Sequence, residues 1–222
     1  MTDRRVTVII PTFNEAENVS AAIESAKSVQ ANQVIVVDGG SQDDTRTIAR
    51  SHDVELVESD PGRGTQLANA MEASQGEVVL FLHADNRLAP GVIDQLKEAG
   101  WPPWGGFRQQ IDDRRLRFRL LEFGNSARVR WLGRVFGDQA MFVSRSLLES
   151  VGGVPSMPLM EDVELSMRLR THSKPVLLSG PVYVDARRWH RRGVIRQTML
   201  NWRLQWLYAR RAKADELAER YR

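Results

Sequence analysis

Three groups of polar side chains in this sequence follow directly after short apolar runs, where a chain leaving a sheet can present them to a ligand. Asp38 closes VIVVD and is followed by GGSQDDT, His83 and Asp85 follow VVLFL, and Pro11, Thr12, Asn14 and Glu15 follow VTVII. If those runs are neighbouring parallel strands, their carboxyl ends open on one crevice, and residues distant in sequence can share a ligand there. Each residue alone reads equally well as a turn or cap residue; the placement of all three groups together points to a site. Arg63 in PGRGTQ adds a cation beside Gly62 and Gly64, glycines that let the backbone turn closely, although a plain surface loop is the competing reading. Glu161 and Asp162 open the amphipathic segment EDVELSMRL, where a carboxylate can take a proton or simply favour a helix N-terminus. Gly137, Asp138 and Gln139 before AMFV, and Arg188 with Trp189 in an arginine run, complete the candidates. Such a run can clamp phosphate or form a solvated face.

The elements that must position these residues are legible in the first hundred positions. Short β-branched runs at 6–10, 34–38, 54–58 and 78–82 alternate with helical stretches, the pattern of a parallel sheet with helices on both faces. Asn14 three residues before Glu17, and Ser41 three before Asp44, have the spacing of helix caps. After Pro102 the regularity breaks into WGGF, an arginine-rich stretch at 108–134, a strand at 140–143 and the segment GGVPSMPLMEDVELSMRLR, with no internal repeat and no linker.

Composition bounds the function. A chain of 222 residues with 42% apolar content buries one core, so one domain with a tail is expected. There is no cysteine, which excludes disulfides and thiolate metal sites and suits a reducing, cytoplasmic setting. The apolar run at 6–10 is too short for a signal core or a membrane span, so the expected protein is soluble or peripheral. Residues 1–100 carry 8 basic and 16 acidic side chains, whereas 186–222 carry 11 and 3. The basic end can attract phosphates or an anionic membrane. Its arginines match no nucleic-acid motif, and nucleic acid is not an expected partner.

The segments VIIPTFNEAENV, VVDGGSQDDT, LFLHAD and MEDVELSMRL resemble, in this order, the motifs of the family 2 glycosyltransferases, over residues 6 to about 189. LHAD, GDQAMF and RRW resemble one bacterial branch, labelled arsenosugar biosynthesis glycosyltransferases. The resemblance implies a GT-A fold, Rossmann-like with a mostly parallel sheet, over 1–192, with a helical extension at 193–222. It implies an inverting transfer of a sugar from a nucleotide diphosphate donor, UDP or similar, to an acceptor hydroxyl. Pro11, Thr12, Asn14, Glu15 and Asp38 would then line the nucleotide pocket, Asp38 accepting a hydrogen bond from a uracil-like imide. Gly39 stands where a second acid is common, and Arg63 where a basic residue often lies near the nucleotide. His83-Ala84-Asp85 takes the place of a DxD motif: Asp85 would contact Mg²⁺ or Mn²⁺, while His83 replaces the first acid and either bonds ribose or is a satisfied strand-end histidine. Asp162 would be the base that deprotonates the acceptor, with Glu161 as fallback, and Asp138, Gln139, Arg188 and Trp189 would close over acceptor or diphosphate. A competing reading, favoured by His83 and Gly39, is a catalytically weakened nucleotide-binding or membrane-associated relative. A nucleotidyltransferase would want a glycine-rich triphosphate loop where this chain has PTFNE.

The closing helix, expected over 194–211, carries two apolar stripes: Ile195, Met199, Trp202 and Trp206 on one, Leu200, Leu204 and Leu207 on the other. One stripe is expected to pack on the catalytic domain and the other to meet a membrane surface or a second subunit; a core that wraps both is the alternative.

Overall fold

The apolar runs become strands because both of their faces are covered. In a computed structural model, residues 3–209 are described. They form β1 (Val6–Thr12), α1 (Val19–Ser28), β2 (Gln33–Asp38), α2 (Thr45–Ser51), β3 (Glu55–Glu58), α3 (Arg63–Ala73) and β4 (Val78–Phe81), then β5 (Asn86–Leu88), α4 (Val92–Glu98), β6 (Trp104–Ile111) and α5 (Leu116–Leu132). A 3₁₀ turn (Gly137–Gln139) leads to β7 (Phe142–Ser144), α6 (Arg145–Ser150), α7 (Glu161–Leu169), β8 (Val176–Val184), α8 (Arg187–Arg192) and α9 (Val194–Ala209).

The strands make one sheet in the order β3-β2-β1-β4-β7-β6-β8-β5. β1 pairs in parallel with β2 and β4, and β2 with β3; Thr12 lies opposite Asp38, so the strand ends meet at one edge. β7 runs antiparallel to β4 and β6, and β5 antiparallel to β8, so the sheet is parallel in its first half and mixed beyond it.

Along β1 the pleat sends successive side chains to opposite faces. Val8 and Ile10 join Ala22 and Ile23 of α1 and Leu96 of α4, whereas Ile9 joins Leu67 of α3 and Leu165 and Leu169 of α7. A strand buried on both faces reads as an unbroken apolar run, which is why VTVII stands out in the sequence.

Two expected helix starts fall elsewhere. Asn14 takes a left-handed conformation (φ 54°) and its Oδ1 accepts the Gln42 amide at 2.8 Å, while α1 begins only at Val19. Ser41 donates its hydroxyl to Asp38 rather than capping α2. Both side chains are spent on fixing one loop against another.

Leu204 of α9 is buried against Phe136, Leu159, Met160 and Val163, with Leu200 and Leu207 packed beside it, so this stripe docks on α7 and the segments that precede it. Tyr208 donates to Glu164 of α7 at 2.7 Å; burial, then that bond, push the phenol up to about 12. On the other stripe Met199 is exposed. The side chains of Ile195, Trp202 and Trp206, and residues 210–222, lie outside the described residues. No helix among the described residues is long and apolar enough to cross a membrane.

Candidate active site

The parallel edge divides the expected residues between two hollows. The first is a cleft of about 360 Å³ lined by Asn14, Glu15, Asp43, Asp85, Asp185 and Arg187. Despite slight burial, bonds from Thr45 and Ala16 hold the Asp43 carboxyl below its usual range, which keeps the cleft anionic. Arg187 crosses its rim on Glu17 and Asp185, each at 2.5 Å.

Behind this cleft lies Asp38, the residue expected to meet a base. Only 1% exposed, it accepts from Thr12 Oγ1 (3.2 Å), Ser41 Oγ (2.5 Å) and the amides of Gly40 (3.0 Å) and Ser41 (2.8 Å). A buried carboxylate needs such donors to hold its charge, and Arg46 Nε of α2 adds a cation 3.8 Å from its Oδ2. The carboxylate therefore ties the β1 and β2 exits together. Gln66, which the sequence reading missed, does the same from the other face: its Nε2 donates to Thr12 O (2.7 Å) and Val37 O (2.9 Å), and its side chain fills the space beside Gly39. Its signal was a position four residues before Ala70 on the buried stripe of α3.

The second hollow is a narrow apolar pocket lined by Pro11, Phe81, His83, Met141, Glu161 and Asp162, among others. His83 lines this pocket, where its imidazole lies against Gly137; a Cβ at that glycine would collide with the ring. Asp162 stands in the first turn of α7 and accepts the Gly137 amide at 2.9 Å on one oxygen and the Val163 amide at 2.8 Å on the other. Its side chain keeps 16% exposure, with Arg63 Nη2 4.0 Å away. Glu161, in contrast, is 2% exposed and ion-paired to Arg63 Nε. Burial drives its carboxyl upward against the pull of Arg63. Arg63 thus stands between the two acids.

The profile described as Glycosyl transferase family 2 matches residues 7–146, more than half of the chain. The chain belongs to glycosyltransferase family 2. Among relatives of this family 2 chain, the glycosyltransferase AglE of Haloferax volcanii is 36% identical over 91 residues, covering 36% of this chain and 30% of that protein. Glucosyl-3-phosphoglycerate synthase of Mycobacterium tuberculosis is 29% identical over 94 residues, covering 37% and 29%. The chain thus spans about a third of the length of these curated relatives. Of solved structures, S. aureus TarS 1-349 in complex with UDP-GlcNAc superposes with a TM-score of 0.64 at 19% identity, covering 82% of this chain and 58% of that one. The M. tuberculosis synthase in complex with Mg²⁺ and UDP does so with a TM-score of 0.59 at 20% identity, covering 82% and 70%. At such identities the likeness is one of fold, and the fold is that of the GT-A transferases.

Three family 2 expectations change against this frame. Asp138 and Gln139 follow the pocket residue Gly137 and turn inward: Asp138 Oδ1 is sealed without a hydrogen-bond partner among the described residues, and Gln139 is fully buried. They are held by Arg128 of α5, whose guanidinium bonds Gln139 Oε1 and Asn125 Oδ1, each at 2.9 Å, and stacks on Phe136 at 3.7 Å. Nothing in its type set Arg128 apart within an arginine-rich stretch. Trp189 packs edge-on to Phe118 at 6.1 Å, partly buried against the core. The Arg188 side chain lies outside the described residues, and its neighbour Arg187 is the arginine at the cleft.

Gly64 sets the approach of α3 to the acid pair. Its amide donates to Met157 O at 3.0 Å, and a Cβ there would lie 2.3 Å from Pro155 O and 2.9 Å from Glu161 Cβ. Because two of the nearest atoms are backbone, Gly64→Ala is expected to cost about 1–3 kcal/mol. Urea unfolding measures it, and a loss below about 0.5 kcal/mol would mean the loop at 155–157 yields freely.

Proposed function

We propose that this chain transfers a sugar, with inversion, from a nucleoside diphosphate donor to an acceptor hydroxyl, using Asp162 as general base. The observation that carries the reading is the contrast between the two acids at the head of α7. Both line the pocket, but Glu161 is 2% exposed and ion-paired to Arg63 through one oxygen, whereas the Asp162 side chain keeps 16% exposure. In one displacement the acceptor oxygen attacks the anomeric carbon opposite the diphosphate, the bond from that carbon to the phosphate oxygen breaks, and the hydroxyl proton passes to Asp162. The Gly137 and Val163 amides fix the carboxylate, so its lone pairs point where a proton can arrive.

A uridine donor and a divalent cation are supported by the related structures, solved with UDP-GlcNAc in one case and with Mg²⁺ and UDP in the other. This chain fits a cation in a limited sense. Among the described residues no three His, Asp or Glu side chains are grouped for a metal, and His83 is turned to Gly137. Asp85 in its acidic cleft can still share Mg²⁺ or Mn²⁺ with donor phosphates, because such hard ions need few protein carboxylates once phosphates and water complete their shell. The ion would neutralise charge on the leaving diphosphate. Beside it, Phe13, half exposed next to Asn14, offers a flat face to a base.

Asp85→Asn is expected to abolish the increase in donor affinity given by Mn²⁺. Titration of UDP-sugars with and without the ion checks this, and metal-independent tight binding by the parent would assign the diphosphate to arginines instead. The catalytic unit is assigned to 1–192 with a helical extension at 193–222, in a cytoplasmic setting, and the stripe of α9 that carries Met199 to a peripheral membrane contact or a second subunit. Exposure of Met199 supports the latter.

A further inference from the structure

α5 buries Phe118 and Val129 beneath it yet turns a second apolar face outward. Leu116, Leu120, Phe123 and Trp131 are 73, 64, 69 and 81% exposed. At about 100° per residue they fall within an arc of about 80°, so they form one continuous stripe rather than scattered surface residues. A stripe of that kind marks a contact surface. Its flanks are basic: Arg114, Arg117 and Arg130 make no ion pair among the described residues, and Arg115 meets only Asp113, at 3.6 Å. Alongside runs a groove of about 660 Å³ lined in part by Arg108, Arg119, Glu122, Phe123, Arg130 and Trp131. Glu122 is tied to Arg119 at 2.8 Å and accepts the Ile111 amide, which leaves the groove net positive through Arg108 and Arg130.

We propose that this face of α5 docks the protein on an anionic lipid surface, with the apolar stripe seated between headgroups and the groove arginines on lipid phosphates. Charge selects the occupant. A twofold contact between copies sets the same patch against itself, so Arg114, Arg117 and Arg130 would crowd against their own kind. Lipid phosphates neutralise them, and the long arginine stems cover apolar surface while their heads reach the headgroup level. The residues are separate from those of α9, and the proposal does not rest on transfer activity.

The test uses the full chain and vesicles of phosphatidylcholine with or without phosphatidylglycerol. Cosedimentation is expected with the anionic vesicles alone and should fall as salt rises. Leu120→Gln/Phe123→Gln/Trp131→Gln should weaken it by about 100-fold, because the inserted apolar area is lost. Arg114→Gln/Arg117→Gln/Arg130→Gln should weaken it by a similar ~100-fold through lost attraction. All six side chains are exposed, so melting temperature and UDP binding should match the parent in both variants. Equal binding to both vesicle types, no binding, or full binding by the apolar variant would each overturn the proposal. So would a parent dimer, seen by sedimentation velocity, that the apolar variant breaks without any lipid binding.

Discussion

Asp162→Asn should lower sugar transfer by about 100-fold or more while donor affinity stays within about twofold of the parent. Asparagine keeps the shape of the side chain, and its amide oxygen can still accept the Gly137 amide that Asp162 Oδ2 accepts at 2.9 Å. What it loses is the capacity to take the acceptor proton. The loss should therefore appear in kcat rather than in donor binding. Glu161→Gln makes the counterpart: it removes the ion pair to Arg63 from a sealed position and should show first as a lowered melting temperature. Single-turnover transfer, with donor titration alongside, separates the cases. Unchanged turnover in Asp162→Asn would remove it from the chemistry, and a parallel fall in donor affinity would make it a donor ligand.

The parallel half of the sheet could be read from sequence because its strands are buried on both faces and appear as unbroken apolar runs, as in VTVII and VIVVD. The acids and polar residues after β1, β2 and β4 gather at one edge because parallel pairing aligns those ends. What could not be read was the direction of each side chain once there. Asp38 and Asp85 look alike in sequence, yet one is enclosed by Thr12, Gly40 and Ser41 and the other lines a cleft. His83 and Asp85, two residues apart, line different hollows. The direction each side chain takes depends in part on long-range neighbours, Thr12 for Asp38 and Gly137 for His83, and local motif spacing does not encode them.

The same limit hid Arg128, and the largest effect on stability is expected there. Its guanidinium is enclosed beside Asp138, whose carboxyl burial drives upward while the arginine charge holds it back. Arg128→Met removes three bonding partners, Asn125, Gln139 and the Arg134 carbonyl, along with the offsetting charge. A loss of about 3 kcal/mol is expected, since three acceptors lose a charged donor at about 1–3 kcal/mol each and Asp138 loses the charge that offsets its burial. Arg128→Met/Asp138→Asn should accordingly recover part of it, a coupling that a double-mutant cycle reads directly. The pH dependence carries a definite sign. A carboxyl raised by folding stabilises most fully below its ordinary value near 3.8, and that contribution fades as pH climbs through the raised value. Asp138→Asn abolishes this slope, so its melting temperature should gain on the parent's between about pH 4 and neutrality. Arg128→Met should extend the slope to higher pH, because the largest of the influences that hold the carboxyl down is then gone. Parallel melting curves for parent and Asp138→Asn across that range would show that Asp138 titrates as freely as an exposed acid. Because the Gly137–Gln139 turn also supplies the amide that fixes Asp162, Arg128→Met should lower kcat more than donor affinity, which marks Arg128 as a positioning residue for the base.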